Sequence, residues 1–172
     1  MISKDEALRL VKGTSKYSHA LMVSCMMKEL AKALNENEKE WMLVGLLHDL
    51  DYDEVKDDMR MHGVVAAEML RGKLSEKCLY AIKAHDYRSG IKPISKLDKA
   101  LIATDSLASL IERVGMETGE LNVKKLRAEL ENISVSNPWY KTNVLKCEEF
   151  GLNVDEFLRL CLNSIKKREC DS

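Results

Sequence analysis

The stretch EKEWMLVGLLHDL, residues 38–50, is apolar on nearly every face of a helix until it ends in His48-Asp49. A helix with no polar stripe belongs in the interior, so this one is central to the fold. Its terminal imidazole and carboxylate therefore lie where water is scarce. Burying an unpaired carboxylate costs on the order of several kcal/mol even after relaxation. The dipeptide needs a cation or a dense set of donors beside it.

The same pattern recurs on both sides of this helix. Asp105 interrupts the apolar run KALIATDSLASLI, residues 99–111, and His19 heads HALMVSCMMKELAKAL, residues 19–34. Elsewhere apolar residues recur at three- and four-residue spacing, and no strand-like alternation competes with them. The pattern predicts helices near 4–12, 16–34, 38–50, 62–71, 76–86, 96–114, 123–132, 138–150 and 154–168. Start signals are Ser3 with Glu6, Asn37 with Glu40, Asn153 with Glu156, and Asn137 before Pro138. Gly72, Gly115 and Gly151 follow periodic segments as C-caps. The predicted fold class is all-α, a bundle of about eight or nine helices. The polar stretches LDYDEVKDDMRM (50–61) and DYRSGIKPIS (86–95) read as loops able to rim a site.

The length of 172 residues suits one domain, 1–172, with a motif-bearing region at about 16–112 and C-terminal helices at 123–168 completing it. A net charge of -1 gives the chain no general attraction for nucleic acid or anionic membrane. No apolar run approaches the roughly 20 residues of a bilayer span, and MISKDEALRLVK is not signal-like, so a cytoplasmic location is expected. The five cysteines, Cys25, Cys78, Cys147, Cys161 and Cys170, show no C-x-x-C pairing. That spacing excludes a zinc ribbon and a disulfide scaffold, leaving small hydrophobes, with Cys170 exposed near the terminus. Met22, Met26 and Met27 stand at helical spacing and fill the core. The basic run at 166–169 ends a helix, where the dipole favours positive charge.

His19, His48, Asp49 and Asp105 together make a borderline-hard donor set suited to Mn²⁺, Fe²⁺, Zn²⁺, Ni²⁺ or Mg²⁺. The chain has four histidines. The other two, His62 and His85, fall at helix ends that can face the same cleft. With Asp49 bridging they could hold a second metal about 3.5–4 Å from the first, or else donate hydrogen bonds to a substrate phosphate beside a single metal.

The order His19, His48-Asp49, His62-Gly63, His85, Asp105 resembles the HD superfamily of metal-dependent phosphohydrolases over about residues 16–112. The resemblance implies that His19, His48, Asp49 and Asp105 are metal ligands, and that His62 and His85 correspond to those of members binding two metals. That subset includes the HD-GYP cyclic-dinucleotide phosphodiesterases and the small diadenosine-tetraphosphate hydrolases. Many HDIG and HD-GYP members read H-D-I-G-K, where this chain has H-D-L-D-Y at 48–52, and His85 is followed by Asp86 rather than by a second histidine. The chain thus departs from the cyclic-dinucleotide subset.

The expected reaction is hydrolysis of a phosphate ester, a nucleotide or dinucleoside polyphosphate, by metal-activated water, with Asp49 as the catalytic carboxylate. Among Arg60, Lys83, Arg88, Lys92 and Lys96, each equally readable as a solvated surface charge, Arg60 and Arg88 are the preferred phosphate clamps. Asp51 and Asp86 either orient the nucleophile or close turns. Trp139 and Tyr140 either pack a helix start or line an adenine-sized pocket. The competing reading is a non-catalytic sensor or interaction domain with the same helical fold and a metal kept for stability. Homodimer formation is compatible with the amphipathic C-terminal helices.

Overall fold

The computed structural model describes the backbone of residues 1–115 and 121–170, and side chains within those ranges up to residue 167. Cys170, expected to be exposed, has its side chain outside the described residues. The chain is all-helical, with no strand among the described residues.

The α-helices are α1 (Lys4–Val11), α2 (Tyr17–Ala33), α3 (Glu38–Leu47), α4 (Val64–Met69), α5 (Glu76–Ala84) and α6 (Lys96–Val114), followed by α7 (Val123–Ser134), α8 (Trp139–Val144), α9 (Lys146–Glu149) and α10 (Val154–Cys170). Short 3₁₀ turns at Met59–Met61 and Tyr87–Ser89 punctuate the two polar stretches and touch each other. Ser3 and Glu6 form the expected capping box, and Asn37 accepts from the Glu40 amide. A further box, Ser95 with Asp98, starts α6. Gly72, Gly115 and Gly151 have φ of 74°, 64° and 96°, the left-handed conformation that a glycine adopts without a Cβ penalty.

Helix α3 is buried along nearly its whole length. It packs along α2, which also meets α6 and α10. Close approach of α2 and α3 depends on Gly45, where a Cβ would lie 2.9 Å from the Val23 carbonyl oxygen. The buried apolar cluster runs from Ile2 to Ile165 and draws on most of the helices. Three of the cysteines, Cys78, Cys147 and Cys161, are buried in it, as are Met26 and Met27. The predicted helix at 138–150 is divided into α8 and α9, because the Glu148 amide bonds to the Leu145 carbonyl three residues back rather than four.

Candidate metal centre

Four helices deliver the polar cluster to one place. His19 comes from the first turns of α2, His48 and Asp49 from the C-terminal end of α3, His85 from the end of α5, and Asp105 from the middle of α6. His62 sits between the first 3₁₀ turn and α4. The four histidines and Asp49 are at most 5% exposed, and Asp105 is 27% exposed.

Asp49 is the hub. Its Oδ1 lies 3.0 Å from His62 Nε2, 3.3 Å from His48 Nε2 and 3.5 Å from His85 Nε2, while its Oδ2 lies 3.8 Å from His19 Nε2. Asp105 Oδ1 lies 2.9 Å from His19 Nε2 and 3.7 Å from His48 Nε2. Two groups follow, His19 with His48 and Asp105, and His48 with Asp49 and His85, each with its ligand atoms within 4.8 Å of one another. Ligands about 2.1 Å from one cation and at right angles to each other lie about 3 Å apart, and the shorter of these separations match that spacing.

The ring nitrogens supply a stricter test. Each histidine turns Nδ1 to an oxygen: His19 to Glu112 Oε2 at 3.1 Å, His48 to the Gly45 carbonyl at 2.9 Å, His62 to Asp51 Oδ1 at 2.8 Å, and His85 to the Ile82 carbonyl at 2.6 Å. A carbonyl or carboxylate oxygen only accepts, so Nδ1–H donates in all four rings. In the neutral ring the Nε2 lone pair is thereby aimed at the centre. His62 Nε2 and His85 Nε2 face each other at 3.2 Å, a separation that disfavours two protons and two lone pairs alike. His48 Nε2 is buried and has no hydrogen bond among the described residues, although Asp49 Oδ1 lies 3.3 Å and Asp105 Oδ1 3.7 Å from it. Rings locked by their outer nitrogen, with inner nitrogens converging on carboxylates, are the arrangement that ligates metals. The residues present fit a divalent cation.

Electrostatics agree with that fit. Burial opposes charge on His19, yet hydrogen bonds to Asp105 and Glu112 outweigh it and push its pKa up to about 10. Burial likewise opposes charge on His62, and its bonds to Asp49 and Asp51 raise it to about 9. Burial would raise the Asp49 carboxyl, but charge on His48 and hydrogen bonds from His62 and His85 hold it well below the usual range. Asp105 is also lowered, against burial, mainly by its hydrogen bond with His19. The cluster calls for positive charge, which protons supply when no metal does.

A cavity of about 710 Å³ opens over the cluster, and Asp49, His62, His85 and Asp105 reach its wall. Both polar stretches contribute to it, through Tyr52 from the first and through Asp86, Tyr87, Arg88 and Gly90 to Pro93 from the second. Arg88 lines it and is paired with Asp86, its Nε 2.9 Å from Oδ1. Lys92 also lines it. Arg60 is not among the lining residues; its side chain is 81% exposed and bound bidentately by Asp58. Lys83 and Lys96 likewise lie off the cavity. Asp86 closes the turn at Tyr87–Ser89 by accepting from the Arg88 amide.

Asp51 is fully buried and supports the centre from behind, holding His62 with Oδ1 while Oδ2 accepts from the Gly63 and Ala66 amides. Sequence reasoning missed Glu112, although it stands seven residues after Asp105 on α6 and so shares its face. It also missed Lys16, which reaches to 3.8 Å from Asp49 Oδ2 and lies 4.3 Å over the Tyr52 ring.

The family model for the HD domain matches residues 17–110, a span that contains all six clustered side chains. No curated protein and no solved structure matches the chain.

Proposed function

The chain belongs to the HD-domain family, and from that premise we propose that it is a metal-dependent phosphohydrolase acting on a phosphate ester, a nucleotide or dinucleoside polyphosphate. The observation that carries this reading is the convergence of four Nδ1-locked imidazoles on Asp49 and Asp105 beneath an open cavity. His19, His48 and Asp105 would hold one cation; His62 and His85, with Asp49 between the two groups, would hold a second. Mn²⁺, Fe²⁺, Ni²⁺, Zn²⁺ and Mg²⁺ all suit imidazole with carboxylate to some degree. Such a cation supplies Lewis-acid charge that acidifies water and withdraws charge from phosphate oxygens.

The chain's own groups do the rest. Asp49 Oδ1 is crowded by three imidazoles, whereas Oδ2 stays available to accept a hydrogen bond from the attacking water and orient it toward phosphorus. Because its carboxyl is held far below the usual range, Asp49 orients this water rather than keeping its proton. Lys16, at the mouth beside Asp49, and Lys92 neutralise the remaining phosphate charge. Arg88 can exchange Asp86 for a phosphate oxygen without leaving the wall. No nucleophilic serine or cysteine is needed.

The test is a panel of nucleoside phosphates, dinucleoside polyphosphates and simple esters assayed with added Mn²⁺. At least one ester is expected to turn over, and Asp49→Ala should fall to background while keeping its helical circular dichroism. A chain that hydrolyses nothing at any metal loading would support the sensor reading instead.

A further inference from the structure

Helices α8 and α9 lie beyond the matched span of 17–110, yet they build one wall of the cavity. Trp139, Asn143 and Lys146 all line it. Their spacing of four and then three residues places them on one face of successive turns. That wall is fastened to the metal-bearing helix, because Asn143 Nδ2 donates to Ser106 Oγ at 2.9 Å, and Ser106 adjoins Asp105 in α6.

The chemistry of the wall is graded. Trp139 is 44% exposed although it is large and aromatic. One of its faces stacks on the buried Tyr140 ring, with centroids 3.7 Å apart and planes 24° from parallel. The indole is thus backed by a fixed ring, partly exposed and part of the cavity lining, which is the form of a stacking platform. Asn143 spends one N–H on Ser106 and keeps a second N–H and its carbonyl oxygen, a donor and an acceptor able to meet the edge of a heterocycle. Lys146 stands next along the face, with its ammonium 3.9 Å from Glu149. The adjoining floor is apolar at Ile91, Pro93 and Ile102.

We infer that the α8–α9 face is a nucleoside subsite, in which Trp139 stacks on the base of a nucleoside phosphate, Asn143 bonds its edge and Lys146 meets its sugar-phosphate side while the phosphate lies over the metal cluster. The inference rests on the phosphohydrolase reading and deepens it by making the base, rather than the phosphate alone, the recognised group. A tryptophan that only packed a helix start would be covered, and its neighbours along the helix would not share one cavity with metal ligands.

Trp139 reports on its own subsite, because the only other tryptophan, Trp41, is 3% exposed in the core. The Mn²⁺-loaded chain is titrated with adenosine 5′-thiomonophosphate, ribose 5-phosphate and inorganic thiophosphate while indole fluorescence is followed. Only the base-bearing ligand should change the emission, and Trp139→Phe should abolish that change. In the hydrolysis assay Trp139→Ala should raise KM for a nucleoside phosphate about tenfold or more. Trp139→Phe, which keeps a smaller stacking face, should raise it less, and in both variants the rise should be larger for the nucleoside phosphate than for ribose 5-phosphate. Equal emission changes with all three ligands, or an unchanged nucleotide KM in Trp139→Ala, would overturn the subsite while leaving phosphate hydrolysis intact. Emission specific to the nucleotide, with no ester hydrolysed, would retain the subsite and remove the hydrolase.

Discussion

The Asp51 carboxylate accepts from the His62 ring with one oxygen and from the Gly63 and Ala66 amides with the other. It therefore fixes the tautomer of a candidate ligand and starts α4 in the same stroke. Asp51→Asn keeps the shape but replaces one accepting oxygen with an NH₂ donor, so either the imidazole N–H or the two amides must face another donor. Breaking such a buried contact costs about 1–3 kcal/mol, and loss of a residue orienting a metal ligand typically lowers metal affinity about 10–100-fold. The variant should melt several degrees lower and lose metal held by His62, read by denaturation and by metal analysis after dialysis. An unchanged metal content would deny Asp51 this orienting role. The sequence marks Asp51 only as an aspartate near a helix end, a position that turns commonly occupy. Its actual partners lie 11 to 15 residues away and are set by the path of the loop.

Elements meet the site where backbone rather than side chain is tight. Gly63 has φ of 77°, and a Cβ there would lie 2.4 Å from the Ile82 carbonyl oxygen and 3.0 Å from His85 Nδ1. Those two atoms form the hydrogen bond that orients His85. Gly72 has nearly the same backbone, with φ of 74°, but no atom within 4 Å of an added Cβ. Alanine at Gly72 should therefore cost only the left-handed strain, about 1–2 kcal/mol. Gly63→Ala should add the steric conflict, displace α5 from the loop and lower metal affinity as well as melting temperature. Equal melting temperatures and metal contents in the two variants would show that the contact yields freely. Helix extents were legible where periodicity met a cap, as at Ser3, Asn37 and Gly115. The break between α8 and α9 was not, because Leu145 turns with ordinary helical dihedrals and neither glycine nor proline marks it. The buried His/Asp cluster was legible because a carboxylate or imidazole inside an apolar helix is costly without a cation. Glu112 and Lys16 were invisible for the converse reason, since a charged residue on a mixed helix face or at a helix start reads as solvated until its neighbours are known.

Across the whole molecule the cluster couples folding to proton and metal concentration. Unfolded histidines titrate near 6.5, whereas in the folded chain without metal His19 rises to about 10 and His62 to about 9, and His85 is raised as well. A group raised on folding contributes stability that is fully present below its unfolded pKa and is lost as pH rises through its folded pKa. The chelator-treated chain should therefore grow less stable from about pH 7 to about pH 9.5, as the buried carboxylates lose the protonated imidazoles beside them. Asp49 and Asp105 act in the opposite direction: lowered on folding, they contribute above the unfolded carboxylate range and lose that contribution only in acid. Metal binding displaces the imidazole protons, so its affinity should increase over the same alkaline interval. Urea denaturation midpoints, taken with chelator and with Mn²⁺ at several pH values, should consequently diverge toward alkaline pH, the chelated sample falling while the metal-loaded one holds. Parallel midpoints over that interval would mean that the histidines are not held as cations by Asp49 and Asp105, and the charge balance assigned to the centre would fail with them.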